Sequence, residues 1–179
     1  MICNRCLLYL ERGLDKKTRT LLYAYRDKEE PSIRALVAHS GLSQYHVREA
    51  LMTLRGAGLV WGDYFYTLSP NGQRLIELLS TADRPEPSES LCNDCLREIA
   101  ELLPNDVYPI LAELTRKHYR TTQQLVAALN VSSYKLREYA FLLRGAGLIR
   151  VDRNRIYRLT GTGRYLGLML QQQPVAVPA

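Results

Sequence analysis

The hexapeptide Leu-Arg-Gly-Ala-Gly-Leu occurs twice, over residues 54–59 and 143–148, and the surrounding sequence repeats with it. Tyr45, Val47, Arg48 and Glu49 fall on Tyr134, Leu136, Arg137 and Glu138. Leu36-Val37-Ala38 falls on Leu125-Val126-Ala127, and Cys3 and Cys6 fall on Cys92 and Cys95, all at an offset of 89 residues. Beyond the hexapeptide, Tyr66-Thr67-Leu68-Ser69 matches Tyr157-Arg158-Leu159-Thr160 and Gly72 matches Gly163, now at an offset of 91. Two residues are therefore inserted between Leu148 and Tyr157, which marks that interval as a loop. A chain of 179 residues repeating in this way is expected to form two small units, each able to bury a modest core. The expected boundaries are a first domain over 1–80, a linker over 81–90 rich in Pro, Ser and acidic residues, a second domain over 91–172, and a frayed tail over 173–179.

Hydrophobic periodicity gives each unit the same order of elements. In the first, apolar positions spaced for an amphipathic helix run over 14–27, and a second helix carries Ile33, Leu36 and Val37, with Pro31 in its first turn. Gly41-Leu42-Ser43 forms a turn, and a third helix runs from Gln44 to about Arg55. The period then becomes extended: residues 59–62 and 65–68 read as a β-hairpin, and Ser69-Pro70 opens a closing helix. In the second unit Asn130-Val131-Ser132 replaces Gly41-Leu42-Ser43, with Asn the residue that best stands in for Gly in a left-handed conformation. The hairpin there spans 148–151 and 155–159, followed by a helix over roughly 163–171. The expected class is mainly α with small β-hairpins (α+β), each unit preceded by a further helix that begins at a Cys-x-x-Cys pair.

Helix, short turn and helix followed by a hairpin make a helix-turn-helix with a wing. The pattern Leu-Ser-x-x-x-Val-Arg-x-x-Leu-x-x-Leu-x-x-x-Gly-Leu-Val from Leu42 to Val60 resembles the recognition-helix-to-wing segment of MarR- and ArsR-type winged-helix regulators. Residues 131–149 resemble it equally. That resemblance implies a prokaryotic, cytoplasmic, nucleoid-associated protein that binds double-stranded DNA and regulates transcription. Those families have one winged helix per subunit, whereas here the pair is covalent.

Charge points the same way. The net charge is +6, with +3 on residues 1–80, −2 on 81–90 and +5 on 91–179. The outward, N-terminal residues of the two expected recognition helices are Gln44, Tyr45, His46 and Arg48, and Ser133, Tyr134, Lys135 and Arg137, side chains able to reach base edges. Arg150, Arg153, Arg155 and Arg158 concentrate on the second hairpin with only Asp152 opposing them, which suits phosphate or minor-groove contact. Arg55 and Arg144, inside the hexapeptides, are candidate phosphate clamps. The first hairpin is instead aromatic, and Trp61, Tyr64 and Phe65 suit a protein partner or self-association. A tandem winged-helix adaptor of the chromosome-segregation kind, and a plasmid or phage replication or partition protein, are the alternative functions.

Two Cys-x-x-Cys pairs, Cys3/Cys6 and Cys92/Cys95, suit one tetrahedral structural zinc if their helices meet. Buried reduced thiols and a disulfide or redox pair remain the other readings. His39, His46 and His118 are isolated, and no phosphate loop, Ser-His-Asp set or carboxylate pair appears, so no enzyme is expected. The first residues lack a signal-peptide pattern, and no apolar run reaches the roughly 18 residues of a membrane span.

Overall fold

The computed structural model describes residues 1–25, 31–62 and 66–172. It is mainly helical with two small antiparallel sheets. Helices α1 (Asn4–Gly13), α2 (Lys16–Ala24), α3 (Ile33–Ser40) and α4 (Gln44–Gly56) precede strands β1 (Val60–Trp61) and β2 (Thr67–Leu68) and helix α5 (Pro70–Ser80). A related order follows: α6 (Asn93–Leu102), a short 3-10 turn into α7 (Tyr108–Arg116), β3 (Arg120–Thr121), α8 (Thr122–Leu129), α9 (Ser133–Gly145), β4 (Ile149–Val151), β5 (Ile156–Leu159) and α10 (Gly161–Gln172). No helix among the described residues is long and apolar enough to cross a membrane.

The ends of these helices are set by local chemistry. Ser43 and Ser132 cap α4 and α9 by accepting the backbone N–H of His46 and Lys135. Ser69 caps α5 with Pro70 in the first turn, and Thr121 caps α8 in a reciprocal box with Gln124. Gly41 (φ 66°) and Asn130 (φ 51°) adopt the left-handed conformation that stops α3 and α8, as their sequence positions predict.

Three details differ from the sequence expectation. Asp15 caps α2, so that helix begins at Lys16 and Leu14 instead closes α1. Pro31 stands outside α3, ahead of the Ser32 cap. The second hairpin gains a third strand, β3, which pairs Arg120 with Tyr157 and Thr121 with Ile156 in the order β3-β5-β4. A two-residue strand that runs straight into a helix cap leaves no alternating pattern to read. The expected end of the 14–27 helix, Tyr64 and Phe65 at the first hairpin, and the 173–179 tail lie outside the described residues.

The buried residues form one continuous cluster to which both halves contribute. Its centre is the contact of α4 with α9, the most extensive between any two described elements. A side chain at Gly56 would overlap the Leu142 carbonyl, and one at Gly145 would overlap the Thr53 carbonyl. Thr53 and Leu142, like Gly56 and Gly145, stand 89 residues apart, so the two contacts are exchanged copies of one another. Arg137, the counterpart of Arg48, also bridges Glu49 nearer the N-termini, and the contacts together place α4 and α9 side by side in the same direction, their N-termini at one end.

Each position of the repeated hexapeptide thereby acquires a cause. Leu54, Ala57 and Leu59, with Leu143, Ala146 and Leu148, are fully buried. Gly56 and Gly145 permit the close helix approach, and Gly58 (φ 67°) and Gly147 (φ 70°) turn the chain into the hairpins. The leading helices then cross over. Tyr9 and Leu10 of α1 lie against Gly147, whereas Leu102 of α6 lies against Gly58, beside Ile2 of the first half.

Candidate functional site

Beyond that crossing lie the cysteines. Cys3 and Cys92 occupy the cap positions of α1 and α6, and Cys6 and Cys95 sit in the first turns. A cap residue and the residue three positions on both project at a helix N-terminus. Because α1 and α6 meet there, the four sulfurs all lie within 4.8 Å of one another. Cys3 and Cys92 are exposed, and Cys6 and Cys95 are buried.

The sulfurs are held by reciprocal bonds. The Cys3 N–H donates to Cys95 Sγ at 3.2 Å and the Cys92 N–H to Cys6 Sγ at 3.4 Å. Ser88, in the 81–90 segment, donates its N–H to Arg5 O at 3.2 Å and its hydroxyl to Cys6 Sγ at 3.7 Å. The connecting segment therefore closes over the cluster, which its composition alone does not signal. Burial pushes the Cys6 and Cys95 thiols up, outweighing bonds from the Cys92 and Cys3 amides. At Cys3 burial is the largest single influence, but bonds from the Cys6 amide and the three other thiols together outweigh it and hold the group below the ordinary value.

This arrangement can hold a metal ion. Metal–sulfur bonds of about 2.3 Å in a tetrahedron place the sulfurs roughly 3.8 Å apart, so a contraction of about an ångström or less suffices. Peptide N–H groups and two helix N-termini aimed at the sulfurs offset part of the burial cost of the thiolate, the form in which cysteine ligates metal.

At the opposite end lie the expected recognition residues. Gln44, Tyr45 and Arg48 of α4 and Ser133, Tyr134, Lys135 and Arg137 of α9 are exposed. His46 is half-buried and engaged: Lys17 Nζ donates to its Nε2 at 2.8 Å, and its Nδ1 lies 3.0 Å from Ser43 Oγ. Arg137 pairs with Glu49 at 2.5 Å across the helix contact and stacks over Tyr45 and Phe141. Among the described residues its counterpart Arg48 makes no such bridge. Arg55 and Arg144 are half-buried, and Arg144 lies 3.7 Å from Asp15 of α2.

On the second hairpin Arg150, Arg153, Arg155 and Arg158 are all exposed. Asp152, the one carboxylate there, is occupied with the backbone: its Oδ1 accepts the N–H of Asn154 at 2.8 Å and of Ile156 at 3.0 Å. Arg155 has φ 56°, a left-handed conformation that Gly would adopt more cheaply. Arg158 lies over the Tyr119 ring, 5.8 Å from its centroid. Between α9 and this hairpin runs a groove of about 370 Å³ lined by Arg137, Arg144 and Arg155, with no carboxylate in its lining among the described residues. Trp61 of the first hairpin is 51% exposed. No protein-family model, curated protein or solved structure matches this chain.

Proposed function

We propose that the protein is a tandem winged-helix regulator that binds double-stranded DNA, its two units held together by one structural zinc ion. The observation that carries the DNA reading is the second hairpin: four exposed arginines beside the exposed N-terminus of α9, the single nearby carboxylate engaged in shaping the loop. A left-handed Arg at the hairpin tip, where Gly is the easier residue, supports a role for that side chain beyond folding.

The packing of α4 on α9 refines the mode of binding. Reading heads in successive major grooves stand roughly 34–36 Å apart, whereas packed helices lie about 8–10 Å apart or closer. The two units therefore engage one site together, with α9 and the second hairpin as the main contact. Zinc is favoured over an iron–sulfur cluster because the sulfurs are too close together to enclose several metal atoms, and four thiolates around one ion make a closed structural site.

Replacing Arg153 and Arg155 together by Ala should weaken binding to all duplexes alike and lower the steepness of the log–log salt dependence by about 2. Anisotropy titrations at several salt concentrations measure both, and failure of the purified protein to retain any duplex at low salt would overturn the DNA reading. Arg155→Gly alone separates fold from contact: the melting temperature should hold or rise, by up to ~1 kcal/mol of stability, while duplex affinity falls. Exposed Trp61 favours the adaptor reading, and capture of a protein partner through that residue, with no duplex retained, would replace the first conclusion by the second.

A further inference from the structure

Between the N-terminal halves of α4 and α9 lies a second groove, of about 390 Å³. Its lining comes largely in exchanged pairs 89 residues apart: Tyr45 with Tyr134, Arg48 with Arg137, and Met52 with Phe141. Tyr45 is 51% exposed and Tyr134 is 70% exposed. Large aromatic rings left open on a surface, next to cations, require an explanation that the core does not supply. The Arg137 guanidinium already lies 5.0 Å from the Tyr45 ring centroid and 5.7 Å from that of Phe141. The two carboxylates that line it among the described residues are neutralised, Glu49 by Arg137 at 2.5 Å and Glu138 by Lys135 at 3.5 Å.

This groove is continuous with the arginine groove under the second hairpin, because Tyr134, Arg137 and Phe141 line both. One end thus offers ring faces and the other offers guanidinium groups: Arg155 has no carboxylate partner among the described residues, and Arg137 and Arg144 keep N–H donors beyond those turned to Glu49 and Asp15. We infer that the joined grooves form a track for single-stranded nucleic acid, with unpaired bases stacking on Tyr45, Tyr134 and Phe141 and the backbone phosphates lying along Arg137 and Arg155. A positively charged channel lined with aromatic rings is the surface such strands require, since every base has a face to stack whatever its sequence. A duplex keeps its bases stacked on each other and cannot use the rings. The track is therefore a binding mode separate from the duplex contact, although it shares α9 with it.

The test is an anisotropy titration of the full chain with a fluorescein-labelled 20-nucleotide oligothymidylate, the corresponding oligouridylate and a 20-base-pair duplex at low salt. Expected is tight binding of the single strands, with Tyr134→Ala and Phe141→Ala each weakening it roughly tenfold and Tyr134→Phe, which keeps the ring, within about twofold of wild type. Comparison of the two homopolymers shows whether the 2′-hydroxyl contributes. Melting curves establish that each variant is folded, and Tyr134, being exposed, tests stacking even if Phe141→Ala is destabilised. Duplex binding without single-strand binding, or full single-strand affinity in Tyr134→Ala, overturns the inference and leaves the duplex reading intact. Ring-dependent single-strand binding with no duplex retained supports it and removes the duplex reading.

Discussion

Gly145→Ala is expected to lower stability by about 3 kcal/mol or more, because the added methyl overlaps backbone, the Thr53 carbonyl of α4, which has no rotamer through which to escape. The only relief is separation of α4 from α9 along the most extensive contact in the fold. Gly56→Ala meets the Leu142 carbonyl in the same manner and should cost a similar amount. For a chain of this size such a loss corresponds to a fall in melting temperature of roughly 10 °C. Gly161→Ala serves as the control. Nothing lies within 4 Å of a side chain placed there, and the site begins a helix, so stability should hold or rise by less than about 1 kcal/mol. Equal melting temperatures for the Gly145 and Gly161 variants would mean that the helices do not approach as described.

Cys6→Ser is expected to have an effect of comparable size for a different reason. Cys6 is buried, accepts the Cys92 N–H and is one of four sulfurs placed to close on one ion. An ion that binds only the folded chain and is present at a thousand times its Kd contributes about 4 kcal/mol. Chelation of the wild-type protein should reproduce the shift of Cys6→Ser, and adding chelator to the variant should change nothing further. The pH dependence has a definite sign. A bound metal would hold all four groups as thiolates and depress their pKa values in the loaded fold, so the stability it adds should be present at higher pH and lost on acidification as protons displace the metal. Burial raises the metal-free Cys6 and Cys95 thiols, which makes protons stronger competitors at those two positions. Thermal melts across a pH series, with and without chelator, measure the difference.

Much of the local structure is written plainly in the sequence. Gly41, Asn130, Ser43, Ser132, Ser69-Pro70 and Thr121 act through their own side chains or φ angles, so the residue type alone predicts where helices stop and start. The 89-residue offset likewise predicts that Cys3, Cys6, Cys92 and Cys95 can meet, once the helices that carry them pair. Relations between elements are less legible. Gly56 and Gly145 read locally as part of a turn with the next glycine, because nothing within either segment specifies that another helix backbone will press there. One trace is available. Ala50, Thr53 and Gly56 recur at three-residue spacing and all are buried, beside the inward Val47, Leu51 and Leu54, so α4 buries two faces rather than one. A helix with two buried faces has a neighbour on each, and its partner with the matching repeat is α9.

The same contact changes the candidate interface. Arg137 reads in sequence as an exposed base reader, yet it bridges to Glu49 of the other helix and stacks on Tyr45, neither of which is near it in the chain. The arginines of the second hairpin carry over more directly, since exposure at a loop tip follows from local geometry.

The metal centre is the part of the proposed function that the shared core does not already supply, and elemental analysis of the freshly purified full chain tests it most directly. The expected result is about one zinc per chain in the wild type and none in Cys6→Ser. A metal-free protein with four freely titrating thiols, and a melting temperature indifferent to chelator, would contradict it.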